Sequence, residues 1–154
     1  LTLAHRPEST AMAGTCVFCE IVARRQPAEV VYEDERTMAF MDIHPANPGH
    51  TLVIPKRHAA TIFEIDEEDA AAVMRTAVRV ARAIRRALAP EGLNLVQSNG
   101  RAAGQEIFHL HVHVIPRWVG DGLRLARPPV VRRDRPLAEV AAEIRRALEA
   151  APGI

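Results

Sequence analysis

The sequence predicts an α+β fold: a five-stranded antiparallel sheet with one long central helix and a C-terminal helix. Three observations lead there. Short runs rich in β-branched and aromatic residues recur between clusters of turn-forming residues. Two segments carry apolar residues at helical spacing. No repeat and no second apolar core interrupt them. The length of 154 residues, with 48% apolar and 25% charged, suits one soluble domain able to bury a core.

In chain order, Leu1 to Thr15 reads as a disordered extension without the basic-then-apolar pattern of a secretory signal, and Met12 is a candidate initiator. Residues 16–154 read as a single domain, with a tail and helix over 118–154. Val30 to Glu33 and Thr37 to Asp42 flank the turn Asp34-Glu35-Arg36, a hairpin. His44 to Gly49 is loop chemistry, with two prolines, Asn and Gly. A third strand runs from His50 to Pro55. Asp66 is placed to cap a helix whose first turn is acidic. Its expected buried stripe is Ala70, Val73, Ala77, Val80, Ala81, Ile84 and Leu88, with Arg75, Arg79, Arg82, Arg85 and Arg86 on the solvated side. Pro90 and Gly92 stop it. Leu93 to Ser98 is a fourth strand and Asn99 to Gln105 a loop. Gly120-Asp121-Gly122 ends the fifth strand, Arg124 to Arg135 reads as irregular, and Pro136 to Ala150 returns to helical periodicity through Leu137, Val140, Ala141, Ile144 and Leu148.

The fifth strand carries the chemistry: His109-Leu110-His111-Val112-His113-Val114-Ile115. Alternate residues of a strand share a face, so the three imidazoles line one side about 7 Å apart and Leu110, Val112 and Val114 the other. Such a surface can bind an anion, attack phosphorus or hold a metal. The formal net charge of +1 gives no global field toward nucleic acid. No apolar run approaches the roughly 20 residues that span a bilayer. No nucleic-acid or membrane partner is therefore expected, and the protein is expected in the cytoplasm. Cys16 and Cys19 are the only cysteines, and Lys56 is the only lysine. The Cys-x-x-Cys pair reads as a redox dithiol, half a zinc site, or two small buried side chains.

The histidine alternation resembles the His-φ-His-φ-His-φ-φ signature of the histidine-triad (HIT) family of nucleotide-binding hydrolases and transferases. Cys16 to Val22, Ala39 to Ile43, Gly49 to His58 and Ala103-Gly104-Gln105 resemble further blocks of its Hint-like branch, in order, so the likeness spans about Cys16 to Arg117. It implies a protomer that pairs with a second copy into a continuous sheet, a homodimer. It also implies covalent catalysis at the α-phosphorus of a purine nucleoside 5′-phosphate derivative, typically a phosphoramidate, with no cofactor required for catalysis.

Residue by residue, the resemblance makes His111 the nucleophile, with His113, His50 and His109 supporting it. A neutral imidazole is abundant at pH 7 and leaves readily once phosphorylated. Asn99, Gly104 and Gln105 match nucleotide-contact positions, with Gly100 and Gly104 free of a Cβ that would block an anion. Asp42 matches the acidic residue on the ribose hydroxyls, and Phe18, Ile21, Phe40 and Ile43 match the walls around the base. Glu106 stands where many Hint-like proteins carry serine, which leaves the leaving group open. Lys56 and Arg57 read as surface charge. In some bacterial relatives the cysteine pair joins two histidines in a structural zinc site, here Cys16, Cys19, His58 and His109. A dinucleoside polyphosphate hydrolase, an open-site zinc hydrolase and a non-catalytic purine-nucleotide binder are the alternatives.

Overall fold

A computed structural model describes residues 16–125 and 134–150. The expectations for 1–15 and for much of the 124–135 segment lie outside those residues. Two compact units are distinguished, Leu1–Gly122 and Leu123–Ile154.

The first unit is built on the expected hairpin. Strand β1 (Val30–Glu33) pairs antiparallel with β2 (Thr37–Met41), and Asp34 closes the turn by accepting from the backbone N–H groups of Arg36 and Thr37 at 2.9 and 2.8 Å. β3 is Thr51–Pro55, β4 is Gly92–Val96 and β5 is Val112–Arg117, in the sheet order β1-β2-β3-β5-β4, all antiparallel. A register shift between Val30 and Tyr32 blunts the β1 edge, whereas β4, the strand at the other end of the sheet, pairs with β5 without a shift.

Strand alternation divides the core. Ala39, Val53, Val112 and Val114 meet Val73, Ala77, Val80 and Ile84 of a long helix, α2 (Glu67–Leu88). Met38, Phe40, Leu52 and Ile54 point to the opposite face, where Phe18 and Ile21 of a short helix, α1 (Val17–Val22), cover them. The sheet is therefore buried on both faces, which explains the unbroken burial of β2 from Thr37 to Phe40. The six residues of α1 fall below the length at which periodicity can be read, and this helix was not anticipated from the sequence.

α2 begins as expected. Asp66 Oδ1 accepts from the Glu68 N–H at 2.7 Å. Its stripe differs in detail: Leu88 is exposed, while Asp69, Ala72 and Thr76 are buried. Thr76 hydrogen-bonds Thr37 at 2.7 Å, and Asp69 receives Arg36 at 2.9 Å and Arg57 at 3.0 Å, so the polar positions are paired rather than misplaced. Lys56 and Arg57 are thus not merely surface charge, since Lys56 meets Glu33 at 2.6 Å and Arg57 anchors the turn after β3 to α2. The helix ends at Ala89, in a left-handed conformation immediately before Pro90. Within the second unit, α3 (Leu137–Ala150) has no buried residue.

Candidate functional site

Of the three alternating histidines only His113 lies within β5; His109 and His111 precede it. The β3–β5 ladder stops at Val53↔Val112, where continuing it would bring in Pro55, which has no N–H to give. The alternation persists in the extended lead-in. Leu110, Val112 and Val114 belong to the core on the α2 face, and the rings of His109 and His111 pack edge-on against Phe18 on the α1 face, with centroids 5.8 and 5.2 Å away. His111 and His113 follow at 4.9 Å.

The backbone sets the tautomer of each ring. His50 Nδ1 accepts from the Ala46 N–H at 3.0 Å, so the neutral ring carries its proton on Nε2. That Nε2–H donates to His113 Nδ1 at 2.9 Å, with Asp42 Oδ2 at 3.4 Å as a second acceptor. His113 in turn holds its own proton on Nε2. His111 has the same tautomeric problem and a different answer: its Nδ1–H donates to the carbonyl of His109 at 2.7 Å, leaving an Nε2 lone pair. Burial pushes His111 below the usual imidazole range and His113 down to about 4, the latter assisted by the neighbouring His111 and His50. The rings are therefore neutral at pH 7.

A cavity of about 540 Å³ opens beside them, the size of a small-molecule site. Of the expected residues, Phe18, Ile21, Phe40, Asp42, Ile43, His50, Gly104, Glu106, His111 and His113 line it. Asp42 is held there by accepting the His44 N–H at 2.8 Å. Asn99 and Gln105 do not line it. Asn99 accepts from the Ile62 N–H at 2.7 Å and exchanges two bonds with Gln97. Gln105 is buried, donates to the carbonyls of Ala60 and Ile107 at 2.7 and 3.1 Å, and accepts from the Gly100 N–H at 2.8 Å. Its amide shapes the loop, and the Gly100 N–H expected to face an anion is already engaged. Gln105→Leu is expected to leave the Gly100 N–H and the Ala60 and Ile107 carbonyls without their side-chain partner and to lower stability by about 1–2 kcal/mol; an unchanged thermal midpoint would count against this assignment. Val17, Gln26, Pro27, Ala28, Met41, His44, Leu52 and Ile107 complete the lining. None carries a sequence signal of its own.

The remaining triad histidine faces elsewhere. His109 is fully buried, and its Nε2–H donates to the Pro55 carbonyl at 2.8 Å. Its Nδ1 lone pair lies 3.4 Å from Cys16 Sγ, 3.5 Å from Cys19 Sγ and 3.2 Å from His58 Nδ1, and Cys19 Sγ lies 3.3 Å from His58 Nδ1. A tetrahedron with metal–nitrogen and metal–sulfur bonds of about 2.0–2.1 and 2.3 Å has edges of about 3.3–3.8 Å. Those four separations, 3.2–3.5 Å, lie near that range and all four ligand atoms lie within 4.8 Å of one another, so this cluster could hold zinc. Burial pushes the Cys19 thiol up to about 12 and His109 down to about 4, and a bound divalent cation would make thiolates of both cysteines. Asp42, His50 and His113 also converge, but the His50 ring presents an N–H to its neighbours, which disqualifies it as a neutral ligand.

Residues 23–119 match the family model described as HIT domain. The chain belongs to the HIT family. Protein hit of Bacillus subtilis is 47% identical over 111 residues, covering 71% of this chain and 77% of that one. Adenylylsulfatase HINT3 of Arabidopsis thaliana is 37% identical over 123 residues; the match covers 76% of this HIT protein and 62% of the plant one. The crystal structure of a zinc-bound histidine triad family protein from Mycobacterium smegmatis superposes with a TM-score of 0.70 at 40% identity, covering 88% of this chain and 99% of that one. Among the described residues, no helix is long and apolar enough to cross a membrane.

Proposed function

We propose that this HIT protein hydrolyses purine nucleoside 5′-phosphoramidates, or related nucleotide conjugates, through a nucleotidyl-histidine intermediate on His111. The observation that carries the reading is the opposite tautomer of two adjacent rings: His111 with a lone pair on Nε2, His113 with a proton there. In the first step the His111 Nε2 lone pair forms a bond to the α-phosphorus. The phosphorus–nitrogen bond to the leaving group breaks, and the departing amine takes that electron pair and a proton from solvent or a neighbouring donor. His113 Nε2–H donates to a non-bridging oxygen, where charge accumulates. In the second step water attacks phosphorus, gives up a proton, and the bond to His111 breaks with its electron pair returning to Nε2. Asp42 accepts from the ribose hydroxyls, and Phe18, Ile21, Phe40 and Ile43 wall the base.

Leaving-group identity is set at the lip of the cavity by Glu106 and His44. The name of the plant relative supports chemistry at an adenylyl phosphorus with a different leaving group. Competing an adenosine phosphoramidate, adenylyl sulfate and a dinucleoside polyphosphate in one assay ranks them. The reading fails if none is turned over; nucleotide binding without turnover would leave the non-catalytic role.

The pH profile follows from the relay. While His113 is neutral its Nδ1 accepts from His50, and protonation at Nδ1 breaks that bond. With His113 lowered to about 4 and the attacking His111 also held by burial below the usual imidazole range, kcat/KM is expected to hold as pH falls through 6.5 and to decline only at lower pH. A profile that halves near pH 6.5 would contradict it.

Zinc at Cys16, Cys19, His58 and His109 would bind the N-terminal segment to the turn after β3 and to the lead-in of β5, a structural role outside the reaction. Such thiol ligands suit a reducing compartment such as the cytoplasm. The homodimer implied by the family suits a sheet that ends on β4, whose register is regular, and sedimentation at micromolar protein tests it.

A further inference from the structure

The apolar half of the cavity contains one polar group that the fold leaves uncommitted. Gln26 lies in the turn between α1 and β1, where its backbone N–H donates to the Glu20 carbonyl at 3.2 Å. It lines the cavity beside Ile21, Pro27 and Ala28, and it is the only carboxamide or hydroxyl residue among the lining residues. Its side-chain amide forms no hydrogen bond with any described residue. In contrast, the amides of Gln97, Asn99 and Gln105 are all engaged. Gln26, Ile21, Pro27 and Ala28 also border a recess of about 150 Å³ with Arg24 and Val30, which no histidine reaches. Gln26 therefore stands where the cavity adjoins a recess lined by no histidine, and a nucleotide with its phosphorus at His111 would direct its base toward this apolar part of the lining.

We infer that Gln26 is a specificity-determining residue that reads the 6-position edge of a purine base. This rests on the proposed nucleotide reading of the cavity. Adenine presents an amino donor beside a ring-nitrogen acceptor, and guanine presents an oxo acceptor beside a ring N–H. A carboxamide offers a donor and an acceptor at matching separation, and turning it over serves either base. Val17, Phe18, Ile21, Pro27, Ala28 and Phe40 supply area for any base but no hydrogen bond from a side chain. Gln26 thus separates 6-substituted purines from bases without that pair, and it does not separate adenine from guanine. Because the residue is exposed, its bond to the base replaces one to water and the discrimination is modest, about tenfold.

The test compares kcat/KM for 5′-phosphoramidates of adenosine, guanosine and unsubstituted purine riboside in the wild type and in Gln26→Leu. Leucine keeps the apolar wall and, at an exposed turn, leaves the fold intact. The wild type is expected to favour both 6-substituted substrates about tenfold, and Q26L to bring all three within about twofold by loss on those two alone. Wild-type ratios retained in Q26L, or no discrimination by the wild type, overturn the inference while leaving the hydrolase reading intact. If no phosphoramidate is turned over, that reading falls. Calorimetric affinities for the three corresponding 5′-monophosphates then decide Gln26: the same ratio, lost in Q26L, supports it, and equal affinities or none measurable overturn it.

Discussion

Asparagine in place of His111 is expected to lower kcat on an adenosine phosphoramidate by about 10⁴-fold or more, the scale seen when a covalent nucleophile is removed. Asn keeps a polar group near the Nδ1 position and so retains the bond to the His109 carbonyl, but it offers no nitrogen lone pair toward phosphorus. Loss of the edge-on contact with Phe18 costs some packing, so a circular dichroism spectrum and thermal midpoint accompany the kinetics. Mass spectrometry of enzyme quenched during turnover supplies the positive half. The wild type is expected to carry a nucleotidyl adduct on His111, and the variant none. Retention of most wild-type turnover would remove His111 from the role of nucleophile. His113→Ala, which removes an oxyanion donor and not the attacking atom, is expected to cost less, about 10²–10³-fold.

Serine at both Cys16 and Cys19 is expected to produce the largest loss of stability. Two hydroxyls do not replace two thiolates as zinc ligands, and His58 and His109, with their Nδ1 atoms 3.2 Å apart, would keep at most a single hydrogen bond between them in place of a shared metal. Structural zinc in small domains contributes on the order of 10 kcal/mol. Here a core independent of the cluster remains, so a loss of about 4 kcal/mol, or a thermal midpoint lower by more than about 10 °C, is expected. Protein purified without a metal-affinity column is expected to hold close to one zinc per chain and the variant none. Less than about a tenth of an equivalent in the wild type would end the zinc assignment.

How much of this was legible in the sequence depends on whether the signal was periodic or chemical. The hairpin, the Asp66 cap and the histidine alternation each have a spacing that physics dictates, and each appears where spacing placed it. α1 had no such spacing. Six residues make under two turns, and what holds them helical is burial of Phe18 and Ile21 and the Cys16 cap. The loop after β4 was legible as a loop, but not in its internal bonding. The composition of Asn99 and Gln105 announces amides and cannot say whether a ligand or the chain itself will take them. The family resemblance already set His109 apart as a zinc ligand, but the tautomers were not legible, because they depend on which backbone group meets each ring, the Pro55 carbonyl for His109 and the Ala46 N–H for His50.

Phe18 packs its ring edge-on against His109, His111 and Phe40 at once. A smaller residue there would enlarge the room for bulkier bases and, by the same change, slacken the imidazole that has to stay aimed. Broader ligand tolerance and fast turnover are thereby tied to one side chain, and adaptation toward larger substrates at this position carries a penalty in rate that enlarging the cavity at Pro27 or Ala28 avoids.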